Sequence, residues 1–283
     1  MYKTVFALLF AIGVSPALAW WGDGHALLSR AAVEALPDEV PAFFRAGASE
    51  IAAASIDADL HKNRRMSNLD KSEHSEHFID LELLKGEKLP ALRYDFIALC
   101  QKLDVAPERV GLVPYALAEW TGRLAVAFAE HRKWPDNKGI QAKCFVYAGF
   151  VAHYAQDLAQ PLHTTVHFDG KKGEDGTVVG KGIHEKVDSA VERLAFKSAE
   201  LAKGQEMVVQ DSLIGGIIAA LHESHADVEA VYAIGDGWDG TDDAAMRALA
   251  KERARAAVNL TASLYLTAWQ KSDGMWLPGW LKR

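Results

Sequence analysis

Apolar residues recur along this chain three and four positions apart, and strict alternation is almost absent, so the pattern predicts helices throughout. Leu28, Ala32 and Leu36 mark one face of a helix from Gly24 to Leu36, with Asp23 as its cap. Pro37 and Pro41 bracket a turn into a second helix through Phe43, Phe44 and Ile51. Further helices are predicted over Leu92 to Leu103, Val110 to Ala129, Gly139 to Gln160, Asp188 to Leu201, Ser212 to Val231 and Asp242 to Lys271. Two stretches break the periodicity. Asp57 to Glu76 turns polar and charged and reads as a long loop, while Thr164 to Gly182, rich in glycine and charge, reads as a loop placed to rim a site. No linker divides the chain, so the expectation is an all-α fold, a single-domain helical bundle.

The start of the chain follows a different pattern. Lys3, the apolar run Val5 to Val14 and the small-residue sequence Ala17-Leu18-Ala19 read as a signal peptide over residues 1–19. A membrane anchor needs about 20 apolar residues, more than this run offers. Cleavage after Ala19 would leave 20–283 as the mature domain, secreted or periplasmic, with Trp20 as its N-terminus. With 283 residues, 49% of them hydrophobic, the chain can bury a sizeable core. Its net charge of −7 supplies no global field for nucleic acid, although an acidic protein binds phosphate where metal ions provide positive charge locally. Cys100 and Cys144 fit no zinc-type spacing and read equally as one disulfide or as two buried thiols. Trp276 and Trp280 near the C-terminus read as a packing strap rather than a membrane-docking patch.

Candidate chemistry concentrates between residues 153 and 188. His153 and Asp157 are four apart and project from one helix face, close enough to share an ion. Pro161 then breaks the helix, which lets His163 turn back toward that face. A second pair with the same spacing, His184 and Asp188, opens the helix after the glycine-rich loop. Imidazole and carboxylate suit zinc and similar divalent ions. The flanking Phe150, Val151, Tyr154, Leu158 and Leu162 mark a buried helix, where an unpaired Asp is costly and a cation would relieve that cost. His61, His74, His131, His167, His222 and His225 read as surface or packing residues rather than ligands.

These residues together make the chain resemble the zinc-dependent phospholipase C / P1 nuclease superfamily, whose members are secreted, all-helical phosphodiesterases with a cluster of three zinc ions. The resemblance runs from Trp20 to about Asp188. It implies that the freed amino group and carbonyl oxygen of Trp20 bind zinc, with His25 following in Trp20-Trp21-Gly22-Asp23-Gly24-His25. It implies one ion held by Asp59 (or Asp57), His77 of the His-Phe-Ile-Asp motif, His153 and Asp157. A second would share Asp157 and add Trp20 and His25, and a third would take His163, His184 and Asp188. Asp59 is preferred to Asp57 because its spacing from Ser55 and from the following Lys is nearer the family pattern, and it would also serve as the catalytic base for attack by a zinc-activated hydroxide.

The implied partner is a phosphodiester, either a phospholipid or a single-stranded nucleic acid, with no stable protein partner and a monomeric chain. The superfamily's nucleases usually carry a Gly-Gly-Asn loop after Pro-Leu-His and a Trp before the last Asp, whereas this chain has His167-Phe168-Asp169-Gly170 and Val187. Both departures favour a phospholipase C-like hydrolase over an S1/P1-type nuclease. A non-catalytic zinc-binding envelope protein is the alternative from another class.

Overall fold

The computed structural model describes residues 20–173 and 175–283, so the signal-peptide assignment lies outside the described residues. In chain order the helices are α1 (Gly22–Glu34), α2 (Ala42–Ala46), α3 (Ala48–Ala54), α4 (Asp57–His61), α5 (Ser67–His74), α6 (Arg93–Lys102), α7 (Pro107–Val110), α8 (Val113–Lys133), α9 (Lys138–Ala159), α10 (Ile183–Asp188), α11 (Ala190–Arg193), α12 (Ser198–Ala202), α13 (Leu213–Ala226), α14 (Val228–Ile234) and α15 (Ala244–Lys271). The only paired strands among the described residues are β1 (Lys171–Lys172) and β2 (Val178–Val179), an antiparallel hairpin.

α9 is the axis of the bundle. Asn137 caps it by accepting from the Ile140 amide at 3.1 Å, and every residue from Ala148 to Ala159 is buried, the mark of a helix covered on all sides. α8 and α15 pack along it, and α1 and α3 cross it. α3 comes so close that a Cβ on Gly149 would lie 2.5 Å from the Ala54 carbonyl carbon. The helix stops at Gln160, whose side chain accepts from the Leu162 amide at 2.5 Å and starts a 3₁₀ turn over Pro161–Thr164.

Four expectations need correction. The polar stretch after Asp57 is not a loop: it forms α4, α5 and a 3₁₀ turn at Ser75–His77. Apart from Ala58 its inward residues are Glu73, Ser75 and His77, so its helical period is carried almost wholly by polar side chains and leaves little hydrophobic trace. The helix predicted over Asp188 to Leu201 is three pieces (α10, α11, α12), and that over Ser212 to Val231 breaks at Asp227 between α13 and α14. The tail is no packing strap. Arg283 pairs with Glu130 and Arg132 with Asp273, yet Trp276 and Trp280 are 79% and 78% exposed. Cys100 and Cys144 are both free and buried, and burial pushes the Cys144 thiol up to about 12.

The segment after α5 is pinned on both sides. The Ile79 amide donates to the His163 carbonyl at 2.9 Å, and the Leu112 and Val113 amides donate to Ser75 and Phe78 at 2.6 and 3.2 Å. This close approach depends on Gly111, which has φ +94°, where a Cβ would sit 2.1 Å from the Phe78 carbonyl oxygen. Gly111→Ala is therefore expected to cost at least about 2 kcal/mol, combining backbone strain and overpacking. A denaturant midpoint unchanged from the parent chain would contradict this packing.

Candidate metal centre

α9 presents His153 and Asp157 one turn apart on a buried face. Around Asp157 the other elements converge. Its Oδ2 lies 2.9 Å from His77 Nδ1 and 3.3 Å from His153 Nε2, and its Oδ1 lies 3.5 Å from His25 Nε2, which α1 delivers. Asp59, from α4, places Oδ1 3.8 Å from both His77 Nδ1 and His153 Nε2. The break at Pro161 brings His163 to α10, where His184 Nε2 stands 3.1 Å from His163 Nε2 and 3.0 Å from Asp188 Oδ2.

The potential ligand atoms thus form three groups: His25, His153 and Asp157; Asp59, His77 and His153; His163, His184 and Asp188. All eight side chains nominated from the sequence fall within them. Asp57 does not, nor do His61, His74, His131, His167, His222 and His225. Trp20 is buried beside the groups, its indole donating to the Gln156 carbonyl at 3.0 Å, one residue before Asp157.

Outer hydrogen bonds fix which imidazole nitrogens carry protons. His25 Nδ1 donates to Gln156 Oε1 at 2.6 Å, His153 Nδ1 to the Ser55 carbonyl at 2.7 Å and His163 Nδ1 to the His77 carbonyl at 2.8 Å. Carbonyl oxygens only accept, so each Nε2 holds a lone pair; those of His25 and His153 face the Asp157 carboxylate, and that of His163 faces His184 Nε2. His25 Nε2 and Asp157 Oδ1 are buried and make no hydrogen bond. Acceptors facing acceptors in a dry interior repel, and a cation between them removes the conflict. The spacing agrees with this, because four ligands about 2.0–2.1 Å from a tetrahedral ion lie roughly 3.3 Å from one another. The donor set fits zinc.

Burial lowers the imidazoles of His25, His77, His153 and His163, His25 to about 4, so they are neutral as ligands must be. Burial raises Asp157 to about 6. Burial also pushes Asp59 upward, but His153 and Lys62 outweigh it and hold that carboxyl below its ordinary range.

Several supporting residues were not singled out from the sequence. Gln156 orients His25 and is itself held by Ser29, to whose Oγ its Nε2 donates at 3.0 Å. Gln160 donates to Asp188 at 2.6 Å. Glu73, which accepts from the Tyr154 hydroxyl, faces His77 Nε2 at 3.7 Å. The visible signal was a set of glutamines, at 156 and 160, inside an otherwise apolar helix. Lys62 is the other addition: its Nζ lies 2.6 Å from Asp59 Oδ1 with both side chains nearly buried.

His77, His163 and His184 open onto a cavity of about 330 Å³ whose walls also include Lys62, His74, Phe78, Asp80, Arg109 and Phe168. Two of them bear on charge. Burial and the neighbouring Glu82 push Asp80 up to about 7, against the opposing influence of Arg109.

No family model matches the sequence, and a search of curated proteins finds no match. Among solved structures the chain is similar to the alpha toxin of Clostridium absonum, with a TM-score of 0.52 and 15% identity over 92% of this chain. The alpha toxin of Clostridium perfringens avian strain SWCP gives a TM-score of 0.49 and 12% identity, also over 92% of this chain. The chain spans 66% and 65% of those two toxins, just under two thirds of each. The first of these likenesses establishes the all-α alpha-toxin fold.

Zinc added to chelator-treated protein is expected to raise Tm, since an ion binding only the folded chain at a thousand times its Kd stabilises by about 4 kcal/mol. Identical melting with and without zinc would mean that the inward lone pairs are satisfied in another way.

Proposed function

We propose that residues 20–283 form a zinc-dependent hydrolase of phosphoric esters, of phospholipase C type. The observation that carries this reading is the convergence of three imidazole and carboxylate groups beside one cavity, which His77, His163 and His184 line together with Lys62 and Arg109. Asp59, His77, His153 and Asp157 would hold one ion. Asp157 would be shared with a second, which adds His25 and the main-chain amine and carbonyl of Trp20, and His163, His184 and Asp188 would hold a third. Removal of the leader at 1–19 would free the Trp20 amine, which fits a secreted or periplasmic, monomeric enzyme.

Bound zinc supplies Lewis acidity, which acidifies water and offsets phosphate charge. The chain supplies the rest. Asp59, kept ionised beside Lys62, takes the proton of the attacking water at its carboxylate in the general-base role, as the water oxygen bonds to phosphorus and the bond from phosphorus to the diacylglycerol oxygen breaks, that oxygen leaving with a proton from solvent. The Lys62 ammonium, on the cavity wall, pairs with a phosphoryl oxygen as charge builds there. Gln156, Ser55 and the His77 carbonyl keep the three imidazoles from rotating. The missing Gly-Gly-Asn loop and the Val at 187 favour a phospholipid over a nucleic acid.

The decisive assay compares phosphatidylcholine with single-stranded DNA, each with and without chelator, alongside zinc per chain. Chelator-sensitive release of phosphocholine is expected. Cleavage of DNA alone would make the chain a nuclease, and tightly held zinc without turnover on either substrate would make it a zinc-binding protein. Asp157→Ala should lose more than one zinc per chain and at least about a hundredfold of activity. Lys62→Met should keep its zinc, read by elemental analysis, while losing about a hundredfold in kcat. Full activity in either variant would overturn the corresponding role.

A further inference from the structure

Two exposed arms flank the cavity: both expose apolar side chains, and the first is also basic, while the second mixes lysines with Asp169 and Asp175. On one side Lys62, just after α4, and His74 of α5 stand on the wall, and the stretch from α4 through α5 exposes Leu60 (65%), Met66 (61%) and Leu69 (38%) beside Arg64, Arg65 and Lys71. On the other side Phe168 (47%) lines the cavity at the root of the β1–β2 hairpin, whose β2 exposes Val178 (55%) and Val179 (60%) between Lys172 and Lys181. Lys171 of this arm is already paired with Glu229. Large aliphatic side chains are rarely left this open in a cluster without a partner. Arg64, Arg65 and Lys71 give the first arm a local positive charge that the chain's net charge of −7 does not show.

We infer that this rim is the surface by which the chain docks on an anionic lipid layer, setting the cavity mouth against the headgroups. The inference rests on the phospholipase reading above and deepens it. Aliphatic side chains with lysine and arginine around them suit an interface of acyl chains and acidic headgroups. A single-stranded nucleic acid would need aromatic platforms for its bases, and here the exposed set contains one aromatic residue, Phe168. The exposed tryptophans of the tail do not serve this purpose. That tail is anchored at Glu130 and Arg132, and Glu130 pairs with Lys143 on α9, which lies about 21 Å along the helix from Asp157. Docking there would hold the cavity away from the lipid.

The test uses the zinc-loaded chain with sedimenting vesicles of phosphatidylcholine, with and without phosphatidylglycerol, and a water-soluble short-chain phosphatidylcholine below its micellar concentration. Combined Met66→Asp, Val178→Asp and Val179→Asp should weaken vesicle binding and vesicle hydrolysis at least about tenfold, leaving hydrolysis of the soluble ester within about twofold. Arg64→Glu with Arg65→Glu should weaken binding only to the phosphatidylglycerol vesicles. Vesicle binding unchanged in both variants would overturn the inference, as would retention of a single-stranded oligonucleotide in place of vesicles. Failure of the wild-type chain to hydrolyse the soluble ester would sink the phospholipase reading instead, and the binding data would still decide whether the rim is a lipid surface.

Discussion

The structure is organised by a carboxylate with nowhere to go. Asp157 is fully buried at the centre of the bundle, with imidazole nitrogens of His25, His77 and His153 within 3.5 Å of its two oxygens. Taking a lone carboxylate out of water costs several kcal/mol, and the inward lone pairs of His25 and His153 add to the cost. Evolution would discard such a constellation if it served only packing, since an apolar side chain there would be more stable. The bundle instead commits its most covered helix, α9, to holding that carboxylate, and spends α1, α4 and the segment after α5 on bringing partners to it.

Much of this was visible in the chain before folding. The long helices α1, α8, α9 and α15 follow from apolar spacing, and their observed ends lie within a few residues of those predicted. Histidine and aspartate four apart on a helix, twice, announced the site because local geometry alone sets that distance. What sequence could not show is whatever depends on chain-distant neighbours. The carbonyl of Ser55 and the amide of Gln156 are unremarkable until α3 and α1 pack beside α9 and give them imidazoles to orient. Helices α4 and α5 escaped because a hydrophobic period is the usual trace of a buried face, and their inward face is Asp59, Glu73 and, just beyond, His77. The tail misled in the opposite sense: two tryptophans suggested core, but Met275 and ion pairs at Arg132 and Arg283 hold it down while both tryptophans stay exposed.

The charge distribution also separates what composition merges. A net-acidic chain has no long-range pull on phosphate, yet Lys62 and Arg109 stand at the cavity wall. The acidic residues that give the chain its sign include Asp59, Asp157 and Asp188, which are turned inward and committed to imidazoles and to Lys62. Counting them as surface charge misstates the field that an approaching anion would meet.

One pair of hydrogen bonds carries a mechanical consequence. The Ile79 amide holds the His163 carbonyl, while His163 Nδ1 holds the His77 carbonyl, so the turn after α9 and the segment after α5 grip each other reciprocally. The His163 imidazole cannot swing without dragging the backbone that bears His77. The two ends of the site, Asp59 with His77 and His184 with Asp188, are thereby geared together, and a distortion introduced at one would be felt as misalignment at the other.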